Sequence, residues 1–556
     1  MKWRFLTKVL VCLILLDGWS VMRAEPNPRL NEIQVIGTHN SYHLAPEPPT
    51  MRLIEQGGAG WAASVDYSHR PLWEQFAILG IRQIELDVFA DPDGGHYARP
   101  KSRALVQAAN LGPLQAHDPE GHLRQPGLKV LHVADFDYRT TVYTFKDALG
   151  QIKSWSDQNP GHVPIMVLVE VKEGLDTLGM TPPIAFGLSE LEGVDREIRS
   201  VFPRTRLVLP DDIRGQEESL REALRMRSWP RLSEVRGKII FALDNGGEPR
   251  DLYLEGHESL EGRVLFVSVD ADHPAAGFMK INDPIRDFDR IQEAVRAGFL
   301  VRTRADTPTD HARNNDTVQR DRALASGAQF VSTDYREPDP RLSPYRVELP
   351  GALVARGNPL AGKAGGIEFD GVSGWRSLMP ASESNPWTNP FDWGEFDVPE
   401  GEIHLRSDRN FMIATTRTFR DFVFEVEAQV PSGNSGVFFR CRRGEKKLLG
   451  YQAEIDLSDR HYSGGVYDNT GRGFLVPQLG DEASLSAFRG RQGEGFRPGQ
   501  WNRIRIECFG DRIRVAVNGR WASDFRDQAH REGVVGLQHH GGPAVYRFRR
   551  ARILEL

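Results

Sequence analysis

Pro164-Ile-Met-Val-Leu-Val-Glu-Val-Lys172 is a short, almost continuously apolar stretch whose last residues include two ionisable side chains. A run of this length without polar alternation is typical of a strand that is buried on both faces of a parallel sheet. Similar runs occur on both sides of it, and amphipathic segments such as 144–155 and 286–297 separate several of them.

The pattern of apolar run and helical segment extends over the first 335 residues. Eight strands that alternate with helices are the number that closes a (β/α)8 barrel. The sequence therefore predicts a TIM-like barrel in residues 25–336, with strands at 33–36, 81–88, 129–133, 163–171, 238–243, 264–269, 299–301 and 329–332.

The pattern changes after Tyr335. Residues 337–365 are rich in Pro and Gly, which indicates a linker. From 366 to 556 polar and apolar residues alternate in runs such as Phe422–Val430 and Arg512–Val517, and Asn518-Gly519 is a turn signal. Alternation with period two is typical of half-buried antiparallel strands, so a β-sandwich is predicted for this part.

The composition excludes several classes of protein. Hydrophobic residues make up 40% and charged residues 26% of the 556 residues, which excludes a fully disordered chain, a collagen-like fibre and a polytopic membrane protein. The net charge of −6 argues against nucleic acid as a partner. Three cysteines exclude a disulfide scaffold, and whether Cys441 and Cys508 pair stays open.

Residues 1–24 are expected to be a signal peptide. Lys2, Arg4 and Lys8 precede an apolar run from Val9 to Leu16, which is the order found in secretory signals. An uncleaved N-terminal anchor is the alternative. The protein is therefore expected to be secreted or periplasmic.

Ionisable side chains gather at the ends of the predicted barrel strands. The first strand runs into Gly37-Thr-His-Asn-Ser-Tyr42, the second ends with Ile84-Glu-Leu-Asp-Val88, and His132 follows the third. Because a barrel collects the carboxyl ends of its strands on one rim, these groups are expected to meet in one active site.

Four of these residues suit a divalent cation. They offer three carboxylates and one amide oxygen, an all-oxygen set that Ca²⁺ prefers. The predicted ligands are Asn40, Glu85, Asp87 and Glu170.

The remaining polar residues suit phosphoryl transfer. His39 and His132 can serve as general base and general acid near neutral pH. Fixed positive charge and hydrogen bonds for a phosphate or headgroup would come from Lys172, Lys280, Arg304 and Tyr335.

Each feature also has a structural alternative. Glu85 and Asp87 could form ordinary salt bridges, and His132 could be a hydrogen-bonded loop residue. The other possible ion pairs are Lys172 with Glu170 or Glu173, and Arg302 and Arg304 with Asp306. Four successive strands place polar groups at the same end of the predicted barrel, which favours an active site over these structural alternatives.

Residues 30–336 resemble the Ca²⁺-dependent phosphoinositide phospholipase C family in its secreted bacterial branch. The segments that carry the resemblance are Gly37–Tyr42, Ile84–Val88, His132, Val169-Glu-Val-Lys172, Val301-Arg-Thr-Arg-Ala-Asp306 and Ser326–Tyr335.

The resemblance implies a distorted barrel in which the inositol 2-hydroxyl attacks phosphorus, giving a cyclic phosphate and releasing diacylglycerol. Ca²⁺ would lower the pKa of that hydroxyl. By motif match, the four oxygen donors correspond to metal ligands, and His39 and His132 to the catalytic histidines. Either His39 or a metal-bound carboxylate could take the hydroxyl proton. A phospholipid substrate would bring peripheral membrane contact.

Two departures leave the substrate open. The pleckstrin, EF-hand and C2 modules of the animal enzymes are missing, and residues 91–125 form a polar insertion that is expected to be an active-site loop. Another phosphodiester with a vicinal hydroxyl remains an alternative. The runner-up family is glycerophosphodiester phosphodiesterase, which typically has His-Arg after the first strand where this chain has His39-Asn40.

Residues 366–556 resemble the 3-keto-disaccharide hydrolases, which have a concanavalin-like sandwich. The matching segments are Phe369–Trp375, Gly433–Arg440, Gly450–Asp456, Gly499–Asn502, Val517–Gly519 and Gly536–Gly541. Gln452 and Glu454 are exchanged relative to the common family order, so both a catalytic and a sugar-binding role stay open.

The resemblance implies a carbohydrate ligand for the sandwich. The expected sugar contacts are Asn434, Arg440, Gln452, Glu454, Asp456, Gln538 and His540, and the aromatic candidates are Trp375, Trp387 and Trp393. Core tryptophans, a simple turn at 434–436 and a cross-strand pair of Arg440 with Glu454 are the structural alternatives. A glycan-processing protein with an accessory barrel is the second functional hypothesis.

Overall fold

The computed structural model shows an α/β barrel followed by an antiparallel sandwich. It describes residues 27–173, 180–306, 309–339, 341–349, 353–361, 368–369, 375–380, 385–492 and 495–556. The predicted signal peptide lies outside these residues, so it stays a prediction.

Eight parallel strands form the barrel. They are β1 (Ile33–Thr38), β2 (Gln83–Phe89), β4 (Ile165–Val171), β5 (Ile239–Leu243), β6 (Leu265–Val267), β7 (Phe278–Lys280), β8 (Leu300–Arg304) and β9 (Phe330–Thr333). Their spatial order is β6-β5-β4-β2-β1-β9-β8-β7. A parallel bridge between Ser268 and Phe278 joins the two end strands, so the barrel is nearly closed.

The predicted strand at 129–133 is wrong as a barrel strand. Only Lys129–Val130 is extended there, as strand β3, and it pairs antiparallel with the end of β2. The eighth barrel strand is instead β7, which has only three residues. The prediction of an eight-stranded barrel is nevertheless confirmed.

Helices cover the barrel because one face of each carries the apolar residues. In α5, Phe145, Leu149 and Ile152 are buried, and the Thr144 side chain accepts a hydrogen bond from the Asp147 amide at the helix N-terminus. The helices are α1 (Pro48–Gly57), α2 (Ala59–Ser64), α3 (Leu72–Ala77), α4 (Lys101–Ala108), α5 (Phe145–Gln158), α6 (Leu188–Val201), α7 (Pro210–Arg214), α8 (Leu220–Arg227), α9 (Leu232–Val235), α10 (Gly247–Leu254), α11 (Phe288–Arg296), α12 (Asp310–Arg313), α13 (Val318–Ala325) and, in the sandwich, α14 (Glu482–Gln492).

Short 3₁₀ turns lie at Leu30–Glu32, His122–Arg124, Arg204–Arg206 and Pro399–Gly401. Within the described ranges, no helix is both long enough and apolar enough to cross a bilayer.

The predicted linker at 337–365 packs with the barrel along much of its described length. Tyr345, Val347 and Leu349 are buried in the barrel's hydrophobic core. Strand β10 (Ala355–Gly357) pairs antiparallel with β1, and β11 (Glu368–Phe369) pairs with β10. Apolar side chains within this Pro-rich stretch therefore hold the described part of the linker against the barrel.

Two antiparallel sheets form the sandwich and enclose a core of its own. One sheet contains β12 (Trp375–Ser377), β14 (Glu395–Asp397), β15 (Ile403–Ser407), β17 (Phe422–Gln429), β22 (Asn502–Phe509), β23 (Arg512–Val517), β24 (Arg520–Arg526) and β26 (Gly542–Glu555). The other contains β13 (Trp387–Thr388), β16 (Phe411–Thr415), β18 (Asn434–Arg443), β19 (Leu448–Asp456), β20 (Val466–Asp468), β21 (Gly473–Val476) and β25 (Val534–His539). Cys441 and Cys508 are free, buried thiols.

The two domains contact each other through a cluster of ion pairs and a neighbouring aromatic contact. Arg70 of the barrel pairs with Glu507 of the sandwich at 2.8 Å and with Glu337 at 2.6 Å. The rings of Trp73 and Phe509 lie 5.0 Å apart beside this cluster.

Candidate active site

The turn after β1 is fixed against β2 by reciprocal hydrogen bonds. The Ser41 amide donates to the Glu85 carbonyl at 2.9 Å, and the Glu85 amide donates to the Ser41 hydroxyl at 2.9 Å. Asn40 adopts a left-handed conformation with φ of 44°, which asparagine tolerates better than most residues. Gly37 is required for the close approach of the strands, because a Cβ there would lie 1.9 Å from the Gln83 side chain.

An acidic cluster lies at the carboxyl ends of β2, β4 and β5. Asp87 stands directly opposite Glu170 in the register of the two strands. Carboxylate oxygens of Glu85, Glu170 and Asp244 all lie within 4.8 Å of one another. The structure therefore brings predicted ligands together and adds Asp244, which the sequence analysis did not include among them.

Several oxygens of this cluster are buried without a hydrogen bond from any described residue. They are Oδ1 of Asn40, both carboxylate oxygens of Asp87 and Oδ1 of Asp244, although Lys172 Nζ lies 2.9 Å from Asp87 Oδ2. Burial raises the pKa of Glu85 to about 8, and repulsion from Asp244 and Asp87 contributes while Arg302 opposes it. Buried hard oxygen donors, several of them without a hydrogen bond and some repelling each other, fit a Ca²⁺ ion.

His39 is held on both sides of its ring. Nδ1 lies 2.9 Å from Asp334 Oδ1, and Nε2 lies 3.5 Å from Glu85 Oε1. His69 Nε2 donates to the His39 carbonyl at 2.7 Å. Burial, and then the charges of Arg304 and other cations, lower the pKa of His39 well below its usual value. The imidazole is therefore neutral at pH 7 and able to accept a proton.

His132 lies in a different electrostatic environment. Its Nδ1 is 2.7 Å from Asp137 Oδ2, and the same carboxylate lies 2.8 Å from Nε2 of the fully buried His43. Burial lowers the pKa of His132, but the hydrogen bond with Asp137 and that residue's charge outweigh burial, so the pKa is raised. The two imidazoles thus have pKa values displaced in opposite directions, which is the pattern of an acid and base pair.

The predicted phosphate-binding cations already neutralise site carboxylates. Lys172 contacts Asp87 and Glu170, Lys280 Nζ lies 2.6 Å from Asp244 Oδ2, and Arg304 lies 3.5 Å from Asp334. Pairing of Lys172 with Glu170 is therefore present. The suggested pairing of Arg302 with Asp306 is wrong, because Arg302 binds Glu85, Ser332 and Asn282.

The side chain of Tyr335 is buried. Its hydroxyl has no hydrogen-bond partner among the described residues, and burial raises its pKa. Its ring lies 6.2 Å from that of Tyr345. A direct contact of Tyr335 with a headgroup stays a prediction.

In the sandwich, part of the predicted sugar-binding set lies together. Asn434 donates to Glu454 at 3.2 Å, and side-chain amides form a chain from Asn469 through Gln452 and Gln538 to Asn410. Burial raises the pKa of Glu454 to about 7.

Other members of the set have different surroundings. Arg440 is fully buried at a β-bulge and donates to the carbonyls of Arg420 and Gly510 and to Asp421, so its predicted sugar contact is wrong. Asp456 accepts hydrogen bonds from Ser458 and Tyr462, and His540 is exposed at the end of β25.

The structural alternatives for the sandwich can now be separated. Residues 434–436 begin β18 rather than forming a turn, and Glu454 stands opposite Gly436, so a cross-strand pair with Arg440 is wrong. Trp387 is a core residue. Trp393 Nε1 donates to the Asn410 carbonyl, which places this indole beside the amide chain.

A family model described as "Phosphoinositide phospholipase C, Ca²⁺-dependent" matches residues 28–359. The chain belongs to this family. Membership in this family identifies the chain as an enzyme of the phosphoric diester hydrolase class. The alternative family, glycerophosphodiester phosphodiesterase, is not better supported. A second model, for a 3-keto-α-glucoside-1,2-lyase-like domain, matches residues 369–554. No match is found among curated proteins.

Three solved structures are similar to parts of the chain. The Ca²⁺-dependent phosphoinositol-specific phospholipase C of a Gram-negative Pseudomonas species is 15% identical, covering 59% of this chain and 95% of its own (TM-score 0.35). The Streptomyces antibioticus enzyme is 16% identical, covering 55% and 94% (TM-score 0.32). A carbohydrate-binding module, CBM66, from Bacillus subtilis is 19% identical, covering 30% and 94% (TM-score 0.24).

Proposed function

We propose that the barrel cleaves a phosphatidylinositol-type diester by attack of a neighbouring hydroxyl on phosphorus. The observation that carries this proposal is the pair of imidazoles with opposite pKa shifts beside an oxygen-rich acidic cluster. His39 takes the proton of the attacking hydroxyl as the new O–P bond forms. His132 donates its proton to the leaving alcohol oxygen as the old P–O bond breaks.

Ca²⁺ is proposed as the cofactor, held by Asn40, Glu85, Asp87 and Glu170, with Asp244 as a further donor. When bound, it would lower the pKa of the attacking hydroxyl and offset negative charge at phosphorus. Lys172 and Lys280, which neutralise the carboxylates in the structure, would then be available for the phosphate. Arg304, beside His39, is placed to contribute a further positive charge.

A substrate panel with Ca²⁺, Mg²⁺ or EDTA tests the reaction and the metal together. We expect cyclic inositol phosphate from phosphatidylinositol with Ca²⁺ and none with EDTA. His132→Ala should lower kcat by about 10²–10⁴-fold because the leaving alcohol loses its proton donor. Glu170→Gln should raise the Ca²⁺ concentration for half-maximal activity, whereas Glu255→Gln, an exposed control after α10, should not. Full activity in EDTA would contradict the metal assignment.

Peripheral membrane contact is proposed through aromatic residues beside the site. Trp61 on α2 is 38% exposed, and its ring lies 5.7 Å from Phe136, the neighbour of Asp137 in the sequence. Trp61→Ala should weaken turnover of phosphatidylinositol in vesicles and spare a water-soluble inositol phosphodiester. Met226→Ala, an exposed apolar control on α8, should affect neither assay. Equal loss in both assays would contradict the membrane role.

For the sandwich we propose a carbohydrate ligand at Glu454, Asn434 and the amide chain. A carboxyl with a pKa near 7 beside amide donors can accept or donate a proton to a sugar hydroxyl. Calorimetry with a 3-keto-glycoside should show binding that Glu454→Gln weakens and that Glu445→Gln, an exposed control, leaves unchanged. Product formation would distinguish catalysis from binding alone.

Export is proposed from the sequence of residues 1–24. N-terminal sequencing of protein recovered outside the cytoplasm should begin near Glu25, whereas an intact N-terminus on membrane-bound protein would indicate an anchor.

A further inference from the structure

A second cavity, of about 300 Å³, lies between the two domains. None of the residues proposed as catalytic or metal-ligating lines it. Its apolar surface comes from the stretch 76–80 at the end of α3, from Val354, and from Trp521 of the sandwich. Both domains therefore contribute to one partly open cavity, whose volume is at the lower end of the range for small-molecule sites.

Arginine is the main charged residue of this cavity. The lining includes Arg336, Arg346, Arg503, Arg505 and Arg552, against two glutamates, Glu337 and Glu348. Guanidinium groups offer a fixed fork of N–H donors that matches a phosphate.

The carboxylates around the cavity are shared among more guanidinium groups than they can neutralise. Glu425 pairs with Arg503, Arg505 and Arg552, and Glu507 pairs with Arg70, Arg505 and Arg514. Glu337 pairs with Arg70, and Glu348 with Arg336 and Arg346.

Seven arginines therefore share four glutamates. Glu74 also pairs with Arg70, and Arg512 with Asp524 adds a neutral pair. Two positive charges remain in excess over the groups named, and Arg497, which also lines the cavity, is not included in that count.

Some of these guanidinium groups have free donors or repel their neighbours. Nη2 of Arg505 is buried without a hydrogen-bond partner among the described residues. Burial lowers the pKa of Arg336, and the charges of Arg505 and Arg346 lower it further against Glu348 and Glu337. Burial and the charge of Arg70 lower the pKa of Arg514 to about 10. A bound anion would reduce this repulsion.

We propose that this interdomain cavity binds a small phosphate monoester of a sugar or polyol. A phosphate monoester carries about −1.5 to −2 charges at pH 7, which is opposite in sign to the positive excess around the cavity. The guanidinium groups would hold the phosphate, and the indole of Trp521 and the apolar wall would cover the carbon skeleton. This site is separate from the proposed diesterase chemistry, and each can fail without the other.

Calorimetry on the full chain tests the proposal, with glucose 6-phosphate as the probe. We expect one site for glucose 6-phosphate, weaker binding of inorganic phosphate and no binding of glucose. Arg346→Gln combined with Arg503→Gln should weaken binding at least tenfold, because two donors and two charges are removed. Arg204→Gln removes an exposed, remote guanidinium and should change nothing. His132→Ala should bind the probe as the wild type does.

Three results would overturn the proposal: no binding of glucose 6-phosphate at millimolar concentration, undiminished binding by the double variant, or loss of binding in His132→Ala, which would place the probe in the barrel. Circular dichroism checks that the double variant is folded. If it is not, Arg346→Gln alone serves, because this side chain is 38% exposed and pairs with Glu348, while Arg320 donates to the main-chain carbonyl of Arg346, which the substitution leaves in place. Undiminished binding with that variant and with Arg503→Gln alone would equally refute the site.

Discussion

Asp137 is a single carboxylate between two imidazoles, and this position determines what His132 can do. Two histidines hold the pKa of Asp137 at about 2 although burial acts to raise it. Ionised Asp137 in turn accepts a hydrogen bond from His132 and raises the pKa of that ring. We interpret Asp137 as a positioning residue that keeps His132 protonated and oriented.

Asp137→Asn should therefore change the pH profile as well as the rate. Loss of the charge lowers the pKa of His132, so the proton donor is lost at a lower pH and the basic limb of kcat/KM moves to lower pH. The rate at the optimum should fall by about 10²–10⁴-fold. Asp147→Asn, an exposed carboxylate beside His122, is the matched control. A lower rate with an unchanged basic limb of the kcat/KM profile would contradict this role and leave Asp137 as a purely structural residue.

Individual site residues could be predicted where the sequence places them together. Glu85 and Asp87 share one face of a strand, and His39 and Asn40 follow another strand directly. Asp137 lies only five positions from His132, whereas Asp334 and Arg302 act through partners that lie 295 and 217 positions away. No local pattern signals such a pair, because only closure of the barrel brings its members into contact.

At the level of elements, the longest apolar runs were the plainest predictions. Strands β2 and β4 have seven buried or nearly buried residues each, and their apolar runs are plain in the sequence. Strand β7 has three, and its neighbour β8 ends in arginines that pair inside the barrel. The run at 129–133 is equally apolar, but it packs on the end of β2 as a ribbon.

The segment after β9 shows how composition can mislead. Its prolines predicted a linker, yet Tyr345, Val347 and Leu349 are inside the barrel's core. Leu349→Ala should therefore destabilise the barrel by about 2–5 kcal/mol, as deletion of a buried leucine side chain does. Urea unfolding measures this change.

Leu479→Ala provides the control for that substitution. Leu479 is 58% exposed in the sandwich, so the same change in side chain should shift stability by no more than about 0.5 kcal/mol. If Leu349→Ala changed the free energy of unfolding as little as Leu479→Ala does, this segment would not contribute to barrel stability.

For the whole molecule, the domain contact is electrostatic as well as apolar. Arg70 is 91% buried and is the barrel residue that pairs with both Glu337 and Glu507. Its charge helps to hold the pKa values of both carboxyls below their usual range against the effect of burial. Both glutamates are therefore ionised at neutral pH and depend on Arg70 for part of their compensation.

Arg70→Met keeps an unbranched apolar stem but removes the guanidinium group that pairs with the two carboxylates. Breaking a buried pair in this way costs about 3–5 kcal/mol, so the barrel and sandwich should unfold in separate urea transitions that a probe in each domain resolves. The carboxyl pKa values are depressed in the wild type, so the stabilisation from this cluster is complete above pH ~4.3 and is lost as the pH falls further. The difference in unfolding free energy between variant and wild type should accordingly be largest at neutral pH and shrink in acid.

Arg204→Met removes an exposed pair with Asp212 and should cost no more than about 1 kcal/mol at either pH. If Arg70→Met unfolded in one transition at the wild-type midpoint, the apolar contact of Trp73 with Phe509 and its surroundings would be what couples the two domains.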